Sequence, residues 1–391
     1  MVVKMREQLD ENMDRERKER REKRIREMRR RKEHQNSIRK RIRAALPAAA
    51  VILVLAVVMA LRAGGKSTGE GAGNEQESPA GMKDVLPEPE EKDKEDRMEK
   101  ESRNLEDRFA HERGAEEKIE EKLEHYAEET EDTRQFGRDI VSGYGILIDV
   151  ENKRIVSEKN AKVQMNPASM TKVLTLLVAA ENIDNLDDTV TVTLEMTDYS
   201  FVNGCSNAGF EKGETVTVKD LMYGTILPSG AEAAVGLAIY TAGSQEEFVR
   251  MMNGKLEELG LSGSAHFTNC VGVYDEEHYC TAYDMAMIME AALDNELCRE
   301  VLSSRTYTTS STEEHPEGMI LSNWFLRRIE DKDVGGKVLG GKTGYVEQSK
   351  SCAVSYGEDK NGKRYICVTA NAESQWLCIK DHVKLYQGVM Q

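Results

Sequence analysis

None of the usual signatures of redox or metal chemistry is present in this 391-residue chain. Its seven cysteines include no C-x-x-C pair, and His266 and His278 have no second clear pair of ligands, so neither a metal nor a cofactor is expected. Each histidine reads as a loop residue bonding locally. There is no G-x-S-x-G elbow, which leaves a Ser-His-Asp triad without a sequence anchor. No internal repeat is convincing. An odd cysteine count leaves at least one thiol unpaired in an exported chain unless two chains are linked. Cys352 and Cys367, placed symmetrically about a hairpin loop, could face each other across two strands; the alternative is a set of buried thiols.

Charge is present in quantity but unevenly placed. Residues 1–43 carry 18 Lys or Arg against 9 Asp or Glu, and the −16 of the whole chain then leaves −25 for everything after Arg43. The basic tail has no aromatic residue to stack a base, its acids are interleaved with its bases, and the remainder is acidic, so nucleic acid is not the expected partner. Position suggests another role. Residues 44–61 form an uncharged 18-residue run, about 27 Å long as a helix against a hydrocarbon core of about 30 Å. With Arg39, Lys40, Arg41 and Arg43 just before it, residues 44–62 read as an uncleaved membrane anchor with residues 1–43 as a cytoplasmic tail and the rest outside. A cleaved signal peptide, whose apolar region is shorter and ends in a small-x-small site, is the rival.

Residues 63–136 have the composition of a spacer: a Gly-rich start, Pro87 and Pro89, then Glu, Lys and Arg with little to bury. Met98, Leu105, Ile119 and Tyr126 share a seven-residue register, so a partly helical stalk or coiled coil is one reading and a solvated tether the other. The folded part is expected over 137–391. Residues 145–150 and 154–158 read as strands, as do 352–356 and 363–370 around the turn residues 357–362. Between them 231–240, 245–259 and 282–294 carry apolar residues at helical spacing, and an amphipathic helix closes the chain over 375–390, with Trp376 packed on it. Strands at both ends with helices between predict an α+β domain in which the terminal strands share one antiparallel sheet, covered by helices on both faces.

Three short stretches carry the chemistry. Pro167-Ala168-Ser169-Met170-Thr171-Lys172 puts a hydroxyl and an amine three residues apart at a helix start, on one face. A serine beside an amine that burial keeps uncharged can lose its proton as it attacks, and the helix N-terminus offers N–H groups to a developing oxyanion. Alone, S-x-x-K is also what a surface helix with a solvated lysine would show. Leu227-Pro228-Ser229-Gly230-Ala231 then places a second serine in a turn before an apolar helix, and Gly340-Gly341-Lys342-Thr343-Gly344-Tyr345 a lysine and threonine between glycines.

In that order, S-x-x-K, S-x-N-like and K-T-G, the chain resembles the serine D-alanyl-D-alanine carboxypeptidases, low-molecular-mass penicillin-binding proteins of the β-lactamase-like superfamily. The likeness extends to Gly145-Ile146-Leu147-Ile148-Asp149, His266-Phe267-Thr268-Asn269 and His278 to Met285, and covers residues 138–391. It implies the β-lactamase/transpeptidase-like fold, Ser169 as nucleophile, Lys172 as general base and Ser229 as proton relay. It also implies that Lys342 and Thr343 hold a terminal carboxylate, that Gly344 lets a substrate backbone approach, and that Ser169 and Tyr345 supply oxyanion N–H groups. Stem peptides ending in D-Ala-D-Ala are the implied substrate and β-lactams the implied inhibitors. One residue departs from the pattern: Ala231 stands where the family has Asn. A weakened relative that binds peptidoglycan or a division or sporulation partner, a β-lactamase, and an esterase therefore stay open, though no glutamate sits in a recognisable water-activating loop.

Overall fold

The computed structural model describes residues 126–390. Its centre is a six-stranded sheet in the order β1-β3-β2-β10-β9-β8, made of β1 (Arg134–Gln135), β2 (Tyr144–Asp149), β3 (Arg154–Lys159), β8 (Lys337–Val346), β9 (Lys350–Glu358) and β10 (Arg364–Ala372). All neighbours are antiparallel except β1 and β3. The first long strand pairs with the last, Ile148 opposite Ile366 and Ile146 opposite Val368, so the sheet closes only when the two ends of this body meet. Runs such as Ser351 to Gly357, buried at every residue rather than at alternate ones, mark strands covered on both sides.

Two cores lie on the two faces. Ile146, Ile148, Val354, Ile366 and Val368 face the larger helical layer. That layer comprises α1 (Lys172–Asn182), α2 (Leu194–Asn203), α3 (Val218–Ile226), α4 (Ala231–Ala242), α5 (Gln245–Glu258), α6 (Ala282–Asp294) and α7 (Glu296–Ser303). Leu147, Ala353, Tyr365 and Cys367 face the other way, toward α8 (Leu326–Ile329) and α9 (Gln375–Gln387). Small ladders pair β4 (Thr189–Thr191) with β5 (Thr215–Thr217) and β6 (Thr306–Thr308) with β7 (Ile320–Ser322). Local signals start the helices: Thr217 with Asp220 and Thr281 with Asp284 each form a reciprocal side-chain and backbone cap, satisfying N–H groups that a helix start leaves unpaired. The segment before β2 is tied to α9 by Asp381, which accepts from Val141 N, Ser142 N and the Ser142 hydroxyl at 3.2, 2.8 and 2.6 Å.

The architecture is the α+β one expected, and several details differ. The body begins before residue 137: Tyr126 and Ala127 are buried in the larger core, Glu128 bridges to Arg154, and β1 adds to the sheet edge. Tyr126 is thus a core residue and not a stalk position. The segment is inconspicuous because β1 holds on through backbone pairing while both its side chains are exposed. Cys352 and Cys367 cannot bridge, since they project from opposite faces of the sheet, and none of the seven cysteines, all of them among the described residues, forms a disulfide. Trp376 does not pack on its helix; it is 58% exposed. The anchor expected at 44–62 and the other heptad positions lie outside the described residues, among which no helix is long and apolar enough to cross a membrane.

Candidate active site

Ser169 sits in a single 3₁₀ turn, Ala168–Thr171, which runs into α1 at Lys172. The turn brings Lys172 Nζ to 3.0 Å from Ser169 Oγ, and the amine also donates to the Val271 carbonyl at 2.8 Å. Lys172 is completely buried. Burial pushes its ammonium down to about 8, against the Cys205 and Cys270 sulfurs and the Glu232 carboxylate, which favour the charge. A neutral lysine has two N–H groups and a lone pair. With one N–H spent on Val271, the lone pair can face the Ser169 hydroxyl.

The surroundings fix that pair from both sides. Asn269 accepts three backbone N–H bonds on one oxygen, from Val271, Gly272 and Val273 at 3.1, 2.7 and 3.0 Å, and donates to the Val273 carbonyl. The loop is thereby wound around one amide, which aims the Val271 carbonyl at Lys172. Burial drops His278 to about 3, so its ring is neutral. Thr268 N–H occupies Nδ1 at 3.0 Å, leaving Nε2–H to donate to Thr171 Oγ1 at 2.8 Å. The expected loop role of this histidine is therefore a buried clamp on the residue beside Lys172. His266 bonds locally, to the Glu277 carbonyl.

Space at Ser169 depends on two glycines. A Cβ on Gly272, whose φ is +89°, would lie 1.8 Å from the Ala168 carbonyl oxygen and 2.9 Å from Ser169 N. One on Gly344 would lie 3.0 Å from Ser169 N, so the K-T-G strand passes directly against the backbone of the nucleophile turn. Ala168 itself holds a left-handed φ of +48°, and Ser229 one of +66°. Such backbone strain in non-glycine residues persists where surrounding structure enforces it.

Lys342 lies on β8, an edge strand, and its buried ammonium donates to Ser229 Oγ and to the Thr343 carbonyl, both at 2.8 Å. Burial pushes it well below the usual lysine range, and the cations of Lys172 and Arg328 push the same way. Ser229 is held in a turn before α4 by Gly230 N donating to the Gly224 carbonyl and Ala231 N to that of Ser206, at 2.8 and 2.9 Å. Asn323, which sequence reasoning passed over, accepts from Phe325 N and Leu326 N and donates to the carbonyls of Leu302 and Gly341, tying α8 to the strand one residue before Lys342.

Ser169, Ser229, Thr343, Gly344 and Tyr345 line one cleft of about 640 Å³, whose other walls include Cys205, Gly272, Tyr274 and Trp324. The structure thus brings together the candidate catalytic and substrate-binding residues: Lys172 and Lys342 lie beneath the cleft, each bonded to a serine that lines it. Ala231 is fully buried at the start of α4. The neighbouring Glu232 does not replace an amide there, because its carboxylate accepts from Ala208 N and Gly209 N and from Ser200 Oγ. Val271, Gly272 and Cys205 were missed because a carbonyl, a backbone twist and a lone thiol leave no motif.

With two serine–lysine pairs meeting at one cleft, the match to known proteins is decisive. Residues 128–374 match the family described as D-alanyl-D-alanine carboxypeptidase. The chain belongs to this family. A D-alanyl-D-alanine carboxypeptidase of Bacillus subtilis, DacF, is 32% identical over 230 residues, 59% of this chain and 57% of the relative. DacD of Escherichia coli is 36% identical over 164 residues, 40% of this chain and 42% of the relative. This chain therefore spans about half the length of these curated carboxypeptidases. Among solved structures, the Streptomyces K15 DD-transpeptidase matches with a TM-score of 0.56 at 28% identity, covering 64% of this chain and 97% of that one. Penicillin binding protein 5 of Haemophilus influenzae matches with a TM-score of 0.57 at 25% identity, covering 65% and 72%. The carboxypeptidase family's fold is the one described above.

Proposed function

We propose that the chain is a membrane-tethered serine D-Ala-D-Ala carboxypeptidase that removes the terminal D-alanine from peptidoglycan stem peptides and is acylated by β-lactams. The observation that carries this reading is the pairing of Ser169 with a wholly buried lysine 3.0 Å away, facing a second serine–lysine pair across the same cleft.

The terminal carboxylate of the peptide meets Lys342 and Thr343, and its negative charge favours the protonated Lys342 against the burial that lowers its basicity. Ser169 Oγ attacks the carbonyl of the last peptide bond while its proton passes to Lys172 Nζ. The oxyanion forms in the space that Gly272 and Gly344 keep clear beside Ser169 N, with Tyr345 N as second donor. Ser229, bonded to Lys342, relays a proton to the departing D-alanine amine. Water then cleaves the Ser169 ester and returns the hydroxyl. Residues 44–62 anchor the chain in the cell membrane, with residues 1–43 cytoplasmic and the catalytic body outside.

The test is to expose the full-length chain and its Ser169→Ala variant to a fluorescent penicillin and to measure D-alanine release from a diacyl tripeptide. Labelling of the parent alone, with release, is expected. No labelling of either would support the second reading that Ala231 raises, a binding protein without turnover.

A further inference from the structure

A buried carboxylate follows Ser229 by three residues. Glu232, in the first turn of α4, is only 2% exposed. Its Oε1 accepts from Ala208 N at 2.5 Å and from Gly209 N at 3.0 Å, and its Oε2 from Ser200 Oγ at 3.3 Å. The backbone it grips belongs to the loop between α2 and β5, whose first residues, with Asn203 to Ser206, line the cleft. That loop leaves α2 at Gly204 with φ +65° and reaches Glu232 at Gly209 with φ +110°, so it turns through left-handed backbone at both points. Between them it meets the Ser229 turn: the Ser206 carbonyl accepts from Ala231 N at 2.9 Å, and a Cβ on Gly230 would lie 2.9 Å from Ala208 N. Glu232 therefore fastens the cleft wall against which the Ser229 turn rests.

The same carboxylate acts on the base. The titratable groups that face Lys172 are Cys205 on that loop, Cys270 beside Val271, Lys342 on β8 and Glu232 on α4. Glu232 is the carboxylate among them, and Cys270, pushed up to about 12 by burial, is neutral near pH 7. Burial raises the pKa of Glu232 above its ordinary value, while the bonds from Gly209, Ala208 and Ser200 oppose that rise. A buried charge held by three donors is little screened by salt or water. It favours the protonated form of Lys172 against the burial that strips its proton.

We propose that Glu232 is a positioning residue for acylation: it fixes the wall at residues 204–209, and its buried negative charge governs how readily Lys172 sheds its own proton and so accepts that of Ser169. The charge role rests on the reading of Lys172 as the base. Its sign is contrary to simple damage. Without the carboxylate charge Lys172 is less basic, so neutral lysine, and acylation with it, appears at lower pH.

Glu232→Gln separates the two roles. Its Oε1 can keep both backbone N–H groups and its Nε2 can donate to the Ser200 hydroxyl, so the grip stays and the charge goes. In the full-length chain the midpoint of the pH profile for acylation by a fluorescent penicillin should fall by about half a unit to one unit in Glu232→Gln. In Glu232→Asp, which keeps the charge, it should lie nearer the parent. Cys205, half-buried while the other six cysteines are buried, reports the wall. Its alkylation by a charged thiol reagent should stay within about twofold of the parent in Glu232→Gln and quicken at least about tenfold in Glu232→Ala. A midpoint in Glu232→Gln that stays put or moves to higher pH would overturn the charge role, and a Glu232→Ala chain labelled no faster than the parent would overturn the wall. If Glu232→Ala does not fold, hydrogen exchange of the Ala208 and Gly209 amides in the parent decides the wall: slow exchange supports it, and exchange at the rate of an open chain ends it. A parent that is not acylated, or is acylated without pH dependence, would overturn the cleft reading on which the charge role rests, and alkylation of Cys205 would still decide the wall.

Discussion

The two serine–lysine pairs of this cleft are alike in chemistry and opposite in construction. Ser169 and Lys172 are three residues apart and meet within one turn of backbone, whereas Ser229 and Lys342 are 113 residues apart and meet only when an edge strand closes on the helical layer. The amine of the first pair bonds to Val271, held by a loop wound on Asn269; that of the second bonds to its own neighbour's carbonyl, held by β8. Both are buried, and both lose basicity for that reason. In the proposed reaction their work differs: the local pair makes and breaks the acyl bond, and the distant pair receives the terminal carboxylate and relays a proton.

Breaking the local pair should therefore cost the most. Ser169→Ala removes the attacking atom, so penicillin labelling and D-alanine release should both vanish. Residual turnover above about one part in 10³ would point to a different nucleophile. Breaking the distant pair should cost less and in a selective way. Lys342→Ala should lower kcat/KM for a peptide with a free terminal carboxylate by about 10²–10³-fold, with a much smaller effect on one whose terminus is amidated. Equal losses on both peptides would show that Lys342 serves the bond-making step instead.

That contrast also explains what was readable in advance. A spacing of three on a helix predicts that Ser169 and Lys172 share a face, while only the order of the three motifs separates a reactive pair from a surface helix with a solvated lysine. Ser229 and Lys342 were legible only through the order of the three motifs, because nothing in local periodicity says that residues 113 apart will touch. The sheet uniting both ends was readable in the strand patterns of β2, β3, β9 and β10. The true start of the body was not, since β1 contributes backbone and no buried side chain. Asn269 belongs to a stretch that resembles the family, yet the three N–H bonds it accepts depend on a loop conformation that no pattern encodes. Trp376 and the apolar residues around it read as helix packing, yet the face that Trp376 occupies is open.

Acidity offers a sharper comparison, of moderate size. Lys172 must be neutral to take the Ser169 proton, and its pKa is lowered to about 8. The neutral fraction grows as pH rises through that value, so acylation should climb about tenfold per pH unit below 8 and level off above it. Stability follows the same sign. A lysine that burial makes less basic in the folded chain than in the unfolded one penalises folding while it is protonated, and the penalty is relieved as pH rises from about 8 toward the ordinary lysine value of 10.5. Lys172→Met should accordingly be inactive yet melt at a higher temperature than the parent at pH 6.5, with the gap narrowing above pH 8. A flat acylation profile from pH 6 to 9 would mean that Lys172 is not the group that receives the proton.

The smallest effect is expected where the chain departs from its family. Ala231 presents a methyl group, and Lys172 donates to the Val271 carbonyl, a partner that can stand in for the amide that the motif usually supplies. If that substitute is sufficient, Ala231→Asn should change penicillin acylation by less than about fivefold, because the new side chain adds only a neutral hydrogen bond of about 1 kcal/mol. Residue 231 has no exposed surface, and a larger side chain must displace neighbours at the start of α4. A small loss of melting temperature should therefore accompany the change. A gain of a hundredfold in deacylation, measured by release of the bound penicillin, would instead identify the missing amide as the brake on turnover and would make this chain an enzyme held, by one residue, in its acylated form.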